Sequence, residues 1–221
     1  MAPARTSRVR LRATKGRRAS STRWLERHVN DPFVQSARAE GYRSRAAYKL
    51  LELDRKFALL RPGLRVLDLG SAPGGWLQVA VARETRVVGV DLLEMAPLAG
   101  AEVLQGDIFD PATIACLRAA AGGGSVELVL SDLAAPAVGR RAVDRLRAEA
   151  LAEEVLALLP EVLAAGGAAV VKLVRGAEAA VVAAARRQFA RVRLYRPEAS
   201  RTGSSEIYLI ATGYRATAAV G

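Results

Sequence analysis

The stretch Arg65-Val-Leu-Asp-Leu-Gly-Ser-Ala-Pro-Gly-Gly-Trp76 decides the fold of this chain. Its first five residues form a short, mostly apolar run that predicts a buried β-strand. The glycines that follow, Gly70, Gly74 and Gly75, allow a tight turn and the close approach of a ligand to the backbone. A helix is predicted from about Gly75 to Arg83, and its free N–H groups would face such a ligand. The glycine spacing is neither G-x-G-x-x-G nor that of a P-loop. The loop therefore predicts a ligand site after the first strand. The alternative is a tight turn that connects strand and helix and binds no ligand.

Strands and helices alternate through the rest of the chain, which is typical of an α/β fold. We predict further strands at residues 86–90, 102–105, 126–131, 168–174, 191–195 and 206–212, and helices at 44–60, 111–121, 142–164 and 177–189. The inner strands are almost entirely apolar, which indicates a parallel sheet with helices on both faces. Only residues 196–205 separate the last two strands, and so short a connection without a helix favours an antiparallel pairing. We therefore expect a doubly wound, mostly parallel sheet with an antiparallel C-terminal strand.

Two acidic residues follow the second and third predicted strands. Asp91 closes the second strand and Asp107 follows the third. An acidic residue about 20 residues beyond a Gly-rich turn can accept hydrogen bonds from both hydroxyls of a ribose. Because strand-ending aspartates also cap helices, either residue alone is compatible with a structural role. Together with the loop they predict an adenosine-shaped site along the carboxyl edge of the sheet.

A second set of charged residues, Lys49, Asp132, Lys172 and Glu206, is spread along the chain. The last three lie at strand ends, and an antiparallel strand begins at the edge where parallel strands end. These three should therefore meet near the Gly-rich loop. Lys172 interrupts an apolar strand, where a lysine must be paired or neutral. Lys49 would join them only if the N-terminal helix folds back over this edge, and otherwise it is a solvated residue on a helix flank.

The composition excludes several classes of protein. The 221 residues are 51% hydrophobic, enough for a sizeable core. No apolar run reaches the ~18–20 residues of a membrane span. One Cys and one His exclude a disulfide framework and a Cys/His metal cluster. A Ser-His-Asp or Cys-His site would need His28, which lies in a basic stretch far from every motif. We therefore expect a cytoplasmic protein with no metal and no membrane association.

The positive charge is concentrated at the N-terminus. The chain has 33 Lys and Arg against 22 Asp and Glu, a net charge of +11, and residues 1–45 hold 12 basic and 3 acidic side chains, a net +9. Residues 1–23 have no acidic side chain, so we expect a mobile arm there, one domain at 24–214 and a tail at 215–221. An RNA-contacting arm, a tail without a role and a mitochondrial transit peptide all fit this segment. A secretory signal does not, because no apolar stretch follows the basic start.

At this point the motifs resemble those of one family, the FtsJ-like ribosomal RNA 2′-O-methyltransferases, most closely its bacterial RlmE type (also called RrmJ or FtsJ). The matching segments run in order from about Ser20 to Gly213, and their combination is highly specific. They are Ser21-Thr-Arg-Trp-Leu25, Arg43-Ser-Arg-Ala46, Lys49, the loop from Gly70 to Trp76, Val90-Asp-Leu-Leu93, Leu104-Gln-Gly-Asp107, Ser131-Asp132, Val170-Val-Lys172 and Ser204-Ser-Glu-Ile-Tyr208.

The resemblance implies a Rossmann-like S-adenosylmethionine-dependent methyltransferase fold, with S-adenosylhomocysteine as a product. The cofactor-binding residues that it implies are Gly70, Gly74, Gly75, Trp76, Asp91, Asp107 and Asp132. It also implies a catalytic tetrad of Lys49, Asp132, Lys172 and Glu206, in which Lys172 accepts a proton from a ribose 2′-hydroxyl. Arg could not replace this lysine because it stays protonated. The chain has only 4 Lys beside 29 Arg. A Lys where this chain would otherwise use Arg therefore agrees with the assignment.

The resemblance further implies a substrate, a uridine ribose in large-subunit ribosomal RNA, within a large subunit or its precursor, and we expect a monomeric enzyme. One departure bears on this substrate. The family usually has Ser-Asp-Met-Ala-Pro-Asn after the fourth strand, where this chain has Ser131-Asp-Leu-Ala-Ala-Pro136. A 2′-O-methyltransferase of tRNA or another RNA is therefore an alternative. Two further alternatives are less consistent with the sequence. The glycine spacing argues against a nicotinamide-dependent oxidoreductase, and the intact tetrad argues against an RNA-binding module that has lost catalysis.

Deleting residues 1–20 should weaken RNA binding. It should also reduce the slope of log affinity against log salt concentration, by roughly 0.7 for each phosphate of single-stranded RNA that the arm neutralises. The measurement is the dissociation constant for RNA at several salt concentrations, for the full chain and the deletion variant. An unchanged slope would assign these arginines to the tail or transit-peptide alternatives.

Overall fold

The computed structural model describes residues 26, 29–201 and 203–216. The arm predicted at residues 1–23 lies outside this range, as do residues 217–221 of the predicted tail. The helices are α1 (Pro32–Ala39), α2 (Ala46–Phe57), α3 (Gly75–Ala82), α4 (Pro111–Ala120), α5 (Arg141–Val162) and α6 (Ala179–Gln188). The strands are β1 (Arg65–Leu69), β2 (Arg86–Asp91), β3 (Ala101–Gln105), β4 (Val126–Ser131), β5 (Leu163–Val174), β6 (Phe189–Tyr195) and β7 (Glu206–Tyr214). None of these helices is long and apolar enough to cross a membrane.

The strands form one seven-stranded sheet in the order β3-β2-β1-β4-β5-β7-β6. Neighbouring strands from β3 to β5 are parallel, and β7 runs antiparallel to both β5 and β6. The predicted doubly wound sheet with an antiparallel C-terminal strand is therefore confirmed. The strand order reverses between β1 and β4, and in open α/β sheets ligands bind at the carboxyl end of such a switch point.

Alternate strand residues build two cores, one on each face of the sheet. Val66 and Leu128 pack with α2 and α3 on one face, and Leu67 and Val129 pack with the helices α4, α5 and α6 on the other. The period-2 direction of side chains along a strand accounts for this division. It also explains why the strands are almost entirely apolar, since both faces are covered.

The beginning of β5 differs from the sequence-based prediction, which placed residues 166–167 in a turn between a helix and a later strand. The helix ends at Val162 and the strand begins directly at Leu163. The pairing with β4 shifts register between Leu163 and Ala168, so this part of the strand bulges. Gly166 adopts a φ of 77°, which supplies the left-handed residue that such a bulge uses. The prediction that Gly166 and Gly167 close the helix was wrong, because the helix ends at Val162 and both glycines lie within β5.

Helix α1 was not predicted from the sequence. Asp31 caps it, with its carboxylate accepting a hydrogen bond from the Phe33 N–H at 3.0 Å, and Pro32 occupies the first turn. The same Asp-Pro signal begins α4, where Asp110 accepts from the Ala112 N–H at 2.9 Å. The signal for α1 was therefore present, but the helix is only 8 residues long and buries just Val34 and Ala37.

The glycine pair in β5 gives a test of the bulge. Gly166→Ala should lower the free energy of unfolding by about 1–2 kcal/mol, because a side chain is strained at its φ of 77°, and no atom of the described residues within 4 Å of an added β-carbon adds a clash. Gly167→Ala should cost more, because its β-carbon would lie 2.8 Å from the Ala164 carbonyl oxygen. Chemical denaturation of both variants measures the difference. Wild-type stability in both would show that β5 starts without this bulge.

Candidate active site

The Gly-rich loop connects β1 to α3 and is anchored to the neighbouring strand. The N–H groups of Gly70 and Ser71 donate to the Val90 carbonyl oxygen at 2.9 and 3.1 Å. Gly74 adopts a φ of 107°, which residues with a side chain rarely adopt. A β-carbon at Gly74 would also lie 2.9 Å from the guanidinium of Arg43. Glycine is therefore required at this position by the backbone, and a side chain here would also displace the guanidinium of Arg43.

Arg43 ties the loop to the segment that follows β2. Its guanidinium donates to the carbonyl oxygens of Ala96 and Pro97 at 2.7 and 2.6 Å. Its backbone N–H donates to Oε1 of Gln78, on α3, at 2.6 Å. Arg43 thus fixes three segments around the loop. Sequence reasoning gave it no role, and its only signal was membership of the motif at residues 43–46.

Trp76 is buried beneath the loop, 3% exposed. Its indole N–H donates to the Ala46 carbonyl oxygen at 2.8 Å, and its ring centroid lies 5.8 Å from that of Tyr208. Gly74, Gly75 and Trp76 do not line the cavity beside the loop. They hold the loop against α2, and direct contact of these three residues with a cofactor stays a prediction.

That cavity, of about 400 Å³, opens at the carboxyl edge of the sheet. Three predicted cofactor residues, Gly70, Asp91 and Asp107, line it. The carboxylate of Asp91 accepts hydrogen bonds from the N–H groups of Ala72 and Leu93, both at 2.9 Å. The carboxylate of Asp107 accepts from the Phe109 N–H at 3.0 Å. Since a carboxylate has about four lone-pair positions, both can still accept hydrogen bonds from a ligand.

The other walls of this cavity suit a nucleoside. Apolar surface comes from Val90, Ile108, Phe109 and Leu133, and Gly70 brings the backbone close to the space. A flat ring can pack on the apolar walls while the carboxylates receive hydroxyl or amino groups, the mixture typical of small-molecule sites. We name this space the cofactor cavity.

Asp68 carries a buried carboxyl group in β1, below the loop. The residue is 1% exposed, and among the described residues neither of its carboxyl oxygens has a hydrogen-bond partner. Burial raises the pKa of Asp68 well above its usual range, and the charges of Asp132 and Asp91 raise it further. The hydroxyl of Ser71 is likewise buried and unpartnered. Buried polar groups of this kind are rare in native proteins, and a polar ligand at the loop would complete their hydrogen bonding.

Lys49, Asp132, Lys172 and Glu206 come together at the same edge of the sheet. Lys49 Nζ lies 2.9 Å from the Glu206 carboxylate and 3.6 Å from Oδ2 of Asp132. Lys172 Nζ lies 3.1 Å from Oδ1 of Asp132 and also donates to the Asp132 carbonyl oxygen. The four side chains are between 11% and 18% exposed. They form a partly buried chain of alternating charges, which we name the charged tetrad, whereas their catalytic roles stay predictions.

Tyr208 lies at the centre of the tetrad. Its hydroxyl donates to Oδ1 of Asp132 at 2.6 Å and accepts from Lys49 Nζ at 3.1 Å. Burial raises the pKa of Tyr208 well above its usual value, and the charges of Asp132 and Glu206 raise it further, so the hydroxyl stays protonated. Sequence reasoning missed this contact. The available signal was its position two residues after Glu206, since alternate strand residues share a face.

Glu206 has a further partner in the loop before β7. The hydroxyl of Ser200 donates to its Oε1 at 3.0 Å. The carboxylate is therefore held from two sides, by Lys49 and by Ser200.

Within the described part of the chain, no group of three His, Cys, Asp or Glu side chains is arranged to hold a metal ion. The arrangement can orient a polar acceptor group and exchange a proton with it next to the cofactor cavity.

Comparison with known proteins identifies relatives of the chain. The pattern of the FtsJ-like methyltransferase family matches residues 42–214. A protein of Rhodospirillum rubrum named ribosomal RNA large subunit methyltransferase E is 50% identical over 94% of this chain and 81% of its own length. A protein of the same name from Zymomonas mobilis is 49% identical over 96% of this chain and 97% of its own length.

A solved structure agrees with these sequence matches. A crystal structure described as a ribosomal RNA methyltransferase of Plasmodium falciparum has a TM-score of 0.72 and 28% identity, covering 78% of this chain and 98% of that one. The family match spans both the Gly-rich loop and the charged tetrad, and the fold agrees. This chain therefore belongs to the FtsJ-like methyltransferase family and is a methyltransferase.

Proposed function

We propose that this enzyme transfers a methyl group from S-adenosylmethionine to the 2′-hydroxyl of a uridine ribose in large-subunit ribosomal RNA. The single observation that carries the proposal is the assembly of the charged tetrad beside the cofactor cavity. The names of the relatives, which specify RNA of the large ribosomal subunit, support the choice of substrate. The net charge of +11 supports a polyanionic partner. The proposal includes a cytoplasmic monomer that acts on the large subunit or its precursor.

The cofactor cavity fits the adenosine part of S-adenosylmethionine. Asp91 would accept hydrogen bonds from the ribose hydroxyls, and Asp107 would accept one from the adenine amino group. The Gly-rich loop and the buried polar groups of Asp68 and Ser71 would adjoin the methionine end. When bound, the cofactor supplies an electrophilic methyl group on a sulfonium. The chain itself has to position the attacking oxygen, and correct positioning alone is worth about 7–11 kcal/mol.

The charged tetrad would manage the proton of the attacking hydroxyl. A ribose 2′-hydroxyl that receives the methyl group supplied by the cofactor would have to give up its proton. Lys172, in its neutral form, accepts this proton. The ammonium that results is held by the Asp132 carboxylate at 3.1 Å. Lys49 in turn holds Asp132 and Glu206, so the proton acceptor sits in a fixed arrangement.

The Lys172 variants test this assignment. Lys172→Ala and Lys172→Arg should both lower the rate of RNA methylation by about 10²–10⁴-fold, the contribution of a positioned acid–base group. Arg keeps a positive charge but cannot accept the proton. The rate is measured with labelled S-adenosylmethionine on large ribosomal subunits, their purified RNA and tRNA.

Isothermal titration with S-adenosylhomocysteine is the control for these variants, and its affinity should stay close to that of the wild type. A Lys172→Arg enzyme that keeps most of its activity would show that Lys172 is not the proton acceptor. Methylation of tRNA in preference to the ribosomal substrates would show that large-subunit RNA is not the substrate.

Arg43→Ala should weaken cofactor binding about tenfold, because hydrogen bonds of a charged donor are worth about 1.5–3 kcal/mol each, and the guanidinium joins the Pro73 carbonyl oxygen of the Gly-rich loop to those of Ala96 and Pro97. The turnover number at saturating cofactor should change little, since Arg43 does not contact the tetrad. Titration with S-adenosylhomocysteine provides the measurement. Arg61→Ala is the matched control, because Arg61 is 68% exposed and forms only a surface ion pair with Glu127. Equal affinities for the two variants would refute the role of Arg43.

A further inference from the structure

Glu52, in the middle of α2, binds the segment that leaves β6. Its Oε1 accepts a hydrogen bond from the Tyr195 hydroxyl at 2.5 Å and one from the Glu198 N–H at 3.1 Å. Its Oε2 accepts from the same Glu198 N–H at 2.9 Å and, at 3.5 Å, from the Ala199 N–H. Hydrogen bonds to an ionised carboxylate are about twice as strong as neutral ones. One side chain of α2 therefore holds residues 195–201, which we name the exit segment, through three donors.

The surroundings of Tyr195 keep its hydroxyl aimed at Glu52. The hydrogen bond to Glu52 raises the pKa of Tyr195 to about 12, and burial adds to the shift, so the hydroxyl keeps its proton and remains a donor. The ring packs edge-on against Phe57, with the two centroids 5.5 Å apart. Lys56 Nζ lies 4.1 Å from the centroid of the same ring. Both contacts favour particular orientations of an aromatic ring, so α2 fixes the ring as well as the hydroxyl.

Arg45 makes a second contact between α2 and the exit segment. Its guanidinium donates to the Ala199 carbonyl oxygen and to the carboxylate of Asp31, and its side chain is only 11% exposed. Arg45, Lys49 and Glu52 are spaced by four and three residues, so they share one face of the helix. Ala199 is therefore bound at its N–H by Glu52 and at its carbonyl oxygen by Arg45.

The exit segment carries the serine that contacts the charged tetrad. Ser200 directly follows Ala199 and is 8% exposed, and its hydroxyl donates to Oε1 of Glu206 at 3.0 Å. The Ser200 N–H donates to the Pro197 carbonyl oxygen at 3.0 Å, which closes a turn around the residues that Glu52 binds. The position of the serine hydroxyl therefore follows from the contacts of this turn with α2.

We propose that Glu52 is a positioning residue for methyl transfer, which holds the exit segment so that Ser200 donates to Glu206. This inference rests on the proposed function and adds a residue that neither belongs to the tetrad nor lines the cofactor cavity. One face of α2 then holds Glu206 in two ways, directly through Lys49 and indirectly through the exit segment. Without Glu52, the Glu206 carboxylate keeps Lys49 as a partner but loses a fixed second donor, so the tetrad is less well ordered.

A double-mutant cycle tests this sequence of contacts. Glu52→Ala and Ser200→Ala should each lower kcat for methylation of large-subunit RNA about tenfold, the value of one hydrogen bond to a charged group. The double variant should lose no more than either single variant, because both substitutions remove the same contact with Glu206. The KM for RNA and the affinity for S-adenosylhomocysteine should stay at the wild-type values in all three variants.

Two further variants separate positioning from a general loss of structure. Glu52→Gln keeps an oxygen acceptor for the Glu198 N–H, so its kcat should lie between those of Glu52→Ala and the wild type. Glu153→Ala is the matched control, since it makes the same change at an exposed position of α5 that does not line the cofactor cavity. The control should keep the wild-type kcat.

The outcomes separate this inference from the proposed function. If the wild-type enzyme methylates RNA and the double variant loses kcat by the product of the single effects, about 100-fold, Glu52 and Ser200 act independently and the positioning role alone is overturned. A Glu52→Ala enzyme with the wild-type kcat, or with only a raised KM for RNA, overturns it as well. If Glu52→Ala does not fold, Glu52→Gln replaces it in the cycle, with the same test of additivity. Failure of the wild-type enzyme to methylate any RNA would overturn the proposed function and this inference with it.

Discussion

The ion pairs of Lys49 with Glu206 and Asp132 are the interaction on which the site depends. Lys49 belongs to α2, which precedes the whole sheet, whereas Glu206 begins its last strand, 157 residues later. The pairs form at the carboxyl edge, where Tyr208 and Lys172 complete the network. Breaking a partly buried pair by removing one partner leaves an uncompensated charge, which is strongly unfavourable. The network therefore couples the position of α2 to the ends of the strands.

The sheet explains why these charges can meet. Strands β4 and β5 are parallel and end at one edge, and the antiparallel β7 begins there, so Asp132, Lys172 and Glu206 are neighbours by topology. The reversal of strand order between β1 and β4 brings the Gly-rich loop to the same place. One edge therefore carries both the cofactor cavity and a chain of alternating charges.

The part of this arrangement that follows from strand direction could be predicted from the sequence, including the convergence of the three strand-end residues. The position of Lys49 could not be predicted, because it depends on how α2 packs, and Leu50 and Leu53 are buried in a core shared with α3. The spacing of apolar residues along a sequence predicts a helix, but it does not predict the element on which that helix packs. The central contact of Tyr208 with Asp132 and Lys49 is likewise a product of tertiary packing.

The central claim is that the methyl group ends on a ribose oxygen, and it is tested most directly by locating that group. Large-subunit RNA methylated by the enzyme with labelled S-adenosylmethionine would be digested to nucleosides and analysed by mass spectrometry. With Lys172 as the proposed proton acceptor, the tetrad predicts a methyl group on a ribose 2′-oxygen, and the proposed substrate makes 2′-O-methyluridine the labelled product. A label on a base carbon or nitrogen would contradict the account.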